Sequence, residues 1–433
     1  MLRRVIKPFT ALLGALLLAL PAFAQEGGTY SGYSPYSVYG VGPLHQAGTA
    51  YNQSMGGVGI ASRNNRYLNI LNPAAVTARD SLAFMADFSL SGRASIFNDG
   101  TYRSGNNLFN ISNIALSFPI YGKSAFMLGI TPYSDVGYKF SQEDGNAANI
   151  AENGIKTSTA DGEGSMFQFF TGAGITLWNR LSIGAQYNYV FGRIVRNTQE
   201  TYSSTDMLGH HQRYDFQLQG HSAKFGLQYE QPIGNNVLGI GATYLIGAPL
   251  NGYRTDSFSR IINSGEETAT ETENELTGMN MGSEIGAGIS FRMADKYRFE
   301  VDYTMNDWKN SGFSTVEGLL NENFSSSTGF AIKAGMEYTP NRNDIRYYLR
   351  RVSYRAGAYF EQSPFMVNGK AVNDIGISFG ATLPVFRWYN GITVGVQAGQ
   401  RGVAGGGMVR ERYFGFSLGA NIFDIWFQKP HYE

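Results

Sequence analysis

Cysteine is absent from the 433 residues. That excludes a disulfide scaffold, a thiolate metal site, a cysteine nucleophile and a lipid-modified cysteine at a processed N-terminus. Charge is scarce: 16% of residues are charged, and 34 basic side chains balance 34 acidic ones. A nucleic-acid binder needs a clustered basic excess, so nucleic acid is not an expected partner. Histidine is limited to five positions, His45, His210, His211, His221 and His431. Past residue 24, no stretch reaches the roughly 18–20 continuous apolar residues of a membrane helix.

Glycine (54), tyrosine (27) and phenylalanine (29) are abundant, a composition that suits strands rather than helices. Residues 1–24 read as an export signal. Arg3, Arg4 and Lys7 make a basic start, Ala11 to Leu20 is an apolar run too short to span a bilayer, and Pro21-Ala22-Phe23-Ala24 is a small-residue cleavage pattern. A retained anchor is the competing reading, and the length of the run disfavours it.

The rest of the chain alternates. Tyr297, Phe299, Val301, Tyr303 and Met305 interleave with Arg298, Glu300, Asp302 and Thr304, and Ile375, Ile377 and Phe379 with Gly376 and Ser378. Period two places one set on each face of a strand. Fourteen such segments run from 82–92 to 411–424, each long enough for the 9–11 residues of a tilted membrane strand. Short turns, such as Gly122-Lys123 and Asn179-Arg180, alternate with longer polar segments at 93–110, 134–165, 193–213, 250–282, 307–327, 362–372 and 402–410. A secreted sandwich also alternates, but it has no reason to sort its loops by parity. Trp178, Trp388 and Trp426 all fall at the short-turn end, where an amphipathic ring suits a membrane interface.

The fold expected is all-β, a 14-stranded antiparallel transmembrane outer-membrane β-barrel with an N-terminal plug. Its parts are a signal peptide (1–24), a plug or hatch (25–80), the barrel (81–427) and a C-terminal tail (428–433). The plug follows from size: the segment is too small for a domain of its own, and a fourteen-strand lumen is wide enough to need filling. A disordered periplasmic tail is the alternative.

Met55-Gly56-Gly57 through Asn72-Pro73-Ala74, ahead of fourteen strands, resembles the hatch of the FadL and TodX type of outer-membrane hydrocarbon transporter. Ser34-Pro35-Tyr36-Ser37-Val38-Tyr39-Gly40-Val41-Gly42, Tyr354-Arg355-Ala356-Gly357-Ala358-Tyr359 and Trp426-Phe427-Gln428-Lys429 look like the branch of that family found in Bacteroidetes-type bacteria. The resemblance implies passive uptake of long-chain fatty acids or related hydrophobic molecules from the outer-membrane lipid environment. It makes Met55, Gly56, Gly57, Asn72, Pro73 and Ala74 hatch or gating residues, and implies sideways release through a kink in the third strand. Here that strand is 124–133, where Gly129 and Pro132 fit a weakened ladder, although Pro132 also fits the plain end of a strand. The same branch includes barrels that resemble scaffold components of a secretion system, whose partner is a secretion or surface protein. Unlike many outer-membrane barrels, the chain runs past its last aromatic pair, Trp426-Phe427, to Lys429-Pro430-His431-Tyr432-Glu433.

Catalytic chemistry finds little footing, and neither an enzyme, a cofactor nor a metal is expected. His221 and Ser222 are neighbours on a strand and point to opposite faces. His210-His211 falls in an expected external loop. The acidic run from Glu266 to Glu275 lacks the spacing and glycine of a calcium loop. A hydrophobic-substrate transporter and a non-transporting scaffold remain, ahead of an enzyme.

Overall fold

The computed structural model describes residues 32–80, 82–146, 150, 154–204, 207–262, 265–319, 323–385 and 390–425. The expected signal peptide and C-terminal tail lie outside the described residues, as do Trp388 and Trp426. Seventeen strands follow in chain order: β1 (Ala83–Asn98), β2 (Arg103–Pro119), β3 (Ser124–Glu143), β4 (Lys156–Leu177), β5 (Leu181–Tyr202), β6 (Gly209–Ile233), β7 (Asn236–Leu245), β8 (Ala248–Ile262), β9 (Gly265–Met281), β10 (Ser283–Met293), β11 (Tyr297–Asp307), β12 (Phe324–Ser326), β13 (Thr328–Tyr338), β14 (Ser353–Val367), β15 (Lys370–Pro384), β16 (Gly391–Arg401) and β17 (Arg410–Ile425). Fourteen of them close a ring of antiparallel neighbours. β1 to β7 pair in order, β7 pairs with β10, and β10, β11, β13, β14, β15, β16 and β17 lead back to β1. Closure gives each of these strands a neighbour on both sides, which is the condition for crossing lipid.

Alternation sets the two faces. Tyr297, Phe299, Val301, Tyr303 and Met305 are 36–53% exposed on the outer surface, whereas Arg298, Glu300 and Asp302 are at most 4% exposed inside. On β15, Ile375, Ile377 and Phe379 face out and Asp374 and Ser378 face in. At the short-turn end, Trp178 sits exposed in the β4–β5 turn.

Several segments expected as long loops are strand. β3 runs on to Glu143 and β4 starts at Lys156, while β5 reaches Tyr202 and β6 begins at Gly209. His210 and His211 therefore lie on a strand, paired across from Glu200 and Gln199. Segment 250–282 is a hairpin, in which β8 continues the sheet from the upper half of β6 and β9 pairs with β8. Above the bilayer a strand has no lipid face to satisfy, so backbone pairing persists while the period-two pattern lapses. β9, with the sequence GEETATETENELTGMNM, is the plainest case.

Candidate functional site

Residues 32–80 contain a 3-10 turn at Pro35–Val38, one short helical turn, α1, at Ala50–Gln53, and a second 3-10 turn at Pro73–Thr77. In both 3-10 turns proline opens the first turn, where its missing N–H costs nothing. The residue before it caps that turn: Ser34 accepts from the Tyr36 N–H at 3.3 Å and Asn72 from the Ala74 N–H at 3.0 Å. Asn52, fully buried, folds the next stretch back on itself. Its carbonyl receives the Met55 and Gly57 N–H groups at 2.9 and 2.8 Å, and its side chain reaches the Val58 carbonyl at 2.9 Å. Gly56 and Gly57 take φ of +74° and +79°, a region glycine enters without cost.

The segment lies directly against the inward face of the wall, because the wall presents glycine there. A Cβ on Gly184 would stand 2.4 Å from the Pro73 backbone, one on Gly226 2.0 Å from Asn72 Oδ1, one on Gly241 2.2 Å from the Ile60 carbonyl, and one on Gly357 2.3 Å from the Gly56 nitrogen. Polar wall side chains then hold the segment's backbone. Asp302 accepts the Gly59 and Ile60 N–H groups at 2.7 and 2.9 Å, and the Ser378 hydroxyl accepts the Gly56 N–H at 2.8 Å. Gln228 donates to the Ile60 carbonyl at 2.8 Å, and Asn421 to the Arg66 carbonyl at 2.8 Å.

The hatch residues suggested by the sequence do not act as one cluster. Met55, Gly56 and Gly57 sit against β13, β14 and the Ser378 hydroxyl. Asn72, Pro73 and Ala74 sit across the lumen against β4–β7, where Asn72 Nδ2 donates to the carbonyls of Ile60, Leu227 and Ala242 at 2.8–3.3 Å. Asn72 thus clamps the segment to β6 and β7, well ahead of β1, which begins at Ala83.

Between β2 and β3 the wall is incomplete. Their pairing runs only from Pro119–Ala125 to Ile114–Ile130, although both strands continue beyond it. Gly129 belongs to the last paired stretch, where a Cβ would stand 2.5 Å from the Ile114 carbonyl. Pro132 lies just past it, and the β3–β4 register shifts between Pro132 and Ser134. The N-terminal segment covers the edge of β3 that β2 leaves. His45 N–H donates to the Tyr133 carbonyl at 2.9 Å, Leu44 bridges Ser134, and the Ser34 N–H reaches the Gly137 carbonyl at 2.9 Å. The His45 imidazole meets the Asp135 carboxylate at the same place.

Two cavities flank that contact. One, of about 230 Å³, lies between segment and wall, with Tyr39, Tyr133, Phe170, Trp308 and Phe365 on its apolar side and Lys333, Glu361 and Asp374 on its polar side. The other, of about 150 Å³, reaches the gap at Leu108 and Asn110 of β2 and Asp135 of β3, and is lined on the lumen side by Arg93, Glu361, Asp374, Arg401 and Glu411. Both share Leu44, His45 and Gln46. Above them an aromatic cluster fills the outer end. Trp308 and Phe365 rings lie 5.4 Å apart, and Phe324 and Phe365 5.6 Å.

Sequence reasoning missed Asp302, His45 and Asp135 as segment-holding residues. The last two are ninety positions apart, and nothing local links them. A usable signal did exist for the wall: glycines 184, 226, 241, 335 and 357 all fall in the inward phase of their strands, where a barrel with an empty lumen has no need of them. His221 and Ser222 point to opposite faces: His221 Nδ1 lies 2.6 Å from the Tyr187 hydroxyl outside, while Ser222 receives the inward Asn188 at 3.4 Å. Among the described residues no group of three or more His, Cys, Asp or Glu is placed to hold a metal.

A family model described as BamG matches residues 1–433. Among solved structures, the fold is similar to that of the CymD monoaromatic hydrocarbon channel, at 16% identity and a TM-score of 0.61, covering 86% of this chain and 97% of that one. It is similar to the toluene transporter TodX of P. putida, at 13% identity and 0.56, covering 88% and 99%. It is also similar to a FadL homologue of Pseudomonas aeruginosa, at 10% identity and 0.58, covering 89% and 99%. No curated protein sequence matches. The matched structures are channels and transporters of the outer-membrane FadL type, and the chain has their fold.

Proposed function

The chain belongs to the BamG family, and from that membership and the channel fold we propose that it passes small hydrophobic molecules across the outer membrane. In this reading the N-terminal segment is the hatch and the β2–β3 gap is the sideways exit into lipid, with Gly129 and Pro132 at its lower edge. The carrying observation is the pair of cavities that meet at His45 inside the barrel, one of which extends to the gap at Leu108, Asn110 and Asp135. An apolar cavity of about 150 Å³ is enough to hold benzene. A space of about 230 Å³ with aromatic walls therefore suits a monoaromatic hydrocarbon, and a long acyl chain needs the segment to move. Uptake of a radiolabelled monoaromatic by cells that make or lack the barrel tests it. Ala331→Phe, which fills the inner cavity, should cut uptake severalfold; uptake unchanged by both the loss of the barrel and this variant rejects the reading.

A second reading is a non-transporting scaffold that binds a secretion or surface protein. It is favoured by the charged side chains that pin the segment, notably Asp302 beneath Gly59 and Ile60. A hatch that never moves leaves uptake at zero and the barrel's partners intact, so the same uptake assay separates the two.

A further inference from the structure

At the short-turn end, the wall and the N-terminal segment enclose an open cavity of about 590 Å³. Arg63, Asn64 and Arg79 come from the segment, Lys296 from the β10–β11 turn, and Arg342 and Asn343 from the β13–β14 connection. Seven cationic side chains and two carboxylates line it. Three of the cations are neutralised: Arg63 by Glu230 at 3.1 Å, Arg298 by Glu300 at 3.5 Å and Arg342 by Glu337 at 3.1 Å.

Arg79, Arg292 and Lys296 leave an excess. Arg79 gives its donors to the Val76 and Ala83 carbonyls and to the Ser117 hydroxyl, none of which carries charge. Burial lowers its pKa only to about 10, so it stays cationic at neutral pH. Among the described residues Arg292 has one ion pair, with the well-exposed Asp295 at 3.6 Å. Donors are also left over. Asn64 Nδ2, Arg298 Nε and Arg342 Nε are buried with no hydrogen-bond partner among the described residues, and Asn64 and Arg298 are more than nine-tenths buried.

A cavity rich in unspent N–H donors and cations takes an acceptor-rich anion. Its lining gives an alkyl chain little to contact, so it is not a stretch of the hydrocarbon route. In an outer-membrane barrel the short turns face the periplasm, so the occupant arrives from there. The cations are carried by three separate elements around an open rim. That arrangement suits several carboxylates borne on one chain better than a single phosphate, and guanidinium forks match carboxylates two oxygens at a time. We propose that this mouth docks an Asp- and Glu-rich segment of a periplasmic protein. The proposal goes beyond the uptake reading and stands whether or not a molecule crosses the barrel.

The test uses the full barrel in nanodiscs and fluorescein-labelled hexaglutamate, with hexaglutamine as the uncharged probe, read by anisotropy. Hexaglutamate should bind saturably, hexaglutamine should not, and binding should fade at about 0.5 M salt, where screening is short-ranged. The double variant Arg292→Gln, Lys296→Gln should weaken binding by about tenfold or more with an unchanged melting temperature. Arg103→Gln, at the opposite end of the barrel, should leave it unaltered. Two results overturn the proposal: equal weakening by Arg103→Gln, or no hexaglutamate binding, which together with binding of inositol hexaphosphate makes the mouth a phosphate site.

Discussion

Asp302, on the inner face of β11, accepts the backbone N–H of Gly59 at 2.7 Å and holds the neighbouring Ile60 N–H with the same oxygen. One carboxylate thus fixes the centre of the N-terminal segment to the wall, across more than 240 residues of sequence. Replacing it by alanine leaves two buried donors unpaired, at about 1–3 kcal/mol each. Asp302→Ala should still give a heat-modifiable barrel on gels. Limited proteolysis should then cut between residues 56 and 66, sites protected in the parent. Identical cleavage of both proteins removes Asp302 from the anchoring role.

Gly226 offers a steric test of the same attachment. A Cβ there would stand 2.0 Å from Asn72 Oδ1 and 2.8 Å from the Pro73 ring, while one on Gly145 meets nothing within 4 Å. Gly226→Ala should therefore displace the Asn72 clamp and raise conductance in planar bilayers. Gly145→Ala should behave as the parent. Equal conductance in the two variants means that the clamp is not what closes the lumen.

Much of this barrel was legible before any coordinates. Lipid forces an outward apolar residue at every second position, so the membrane-crossing parts of all fourteen ring strands show as period two. The strand extensions outside the bilayer did not show, because water lifts that constraint and β9 joins the sheet through β8. The segment's anchors were hidden for a different reason. Asp302 read as one more lumen-facing residue, and only the fold brings it to Gly59. The His45–Asp135 contact likewise depends on the segment lying along β3, a placement no local pattern encodes.

The outer surface permits a depth-dependent check. Val301 is 53% exposed at the middle of β11, with Phe299 and Tyr303 on the same face. Val301→Arg should cost about 2–4 kcal/mol if that site lies near the midplane, lowering the urea midpoint of refolding into bilayers. In single-cysteine variants, a water-soluble thiol reagent should spare positions 299, 301 and 303. Free labelling there reverses the assignment of faces.

The gap between β2 and β3 is closed from inside by backbone bonds to β3 and by side-chain contacts of His45 with Asp135 and of the Ser37 hydroxyl with the Gly137 backbone. The backbone bonds follow the segment wherever it goes, whereas the His45–Asp135 contact is a part that one substitution can remove cleanly. Asp135 is 7% exposed on its side chain and His45 33%, so the pair sits at the boundary of solvent and is worth on the order of 1 kcal/mol. His45→Ala should raise hydrogen exchange by about fivefold at the His45 position and at Gly137, whose N–H donates to the Ser37 hydroxyl at 3.1 Å. Exchange at Gly59 and Ile60, held by Asp302, should not change. That contrast matters, because it separates a latch at the gap from general loosening of the segment. A rise at all four amides marks His45 as ordinary packing, and no rise at any of them leaves the gap held by the backbone bonds and Ser37.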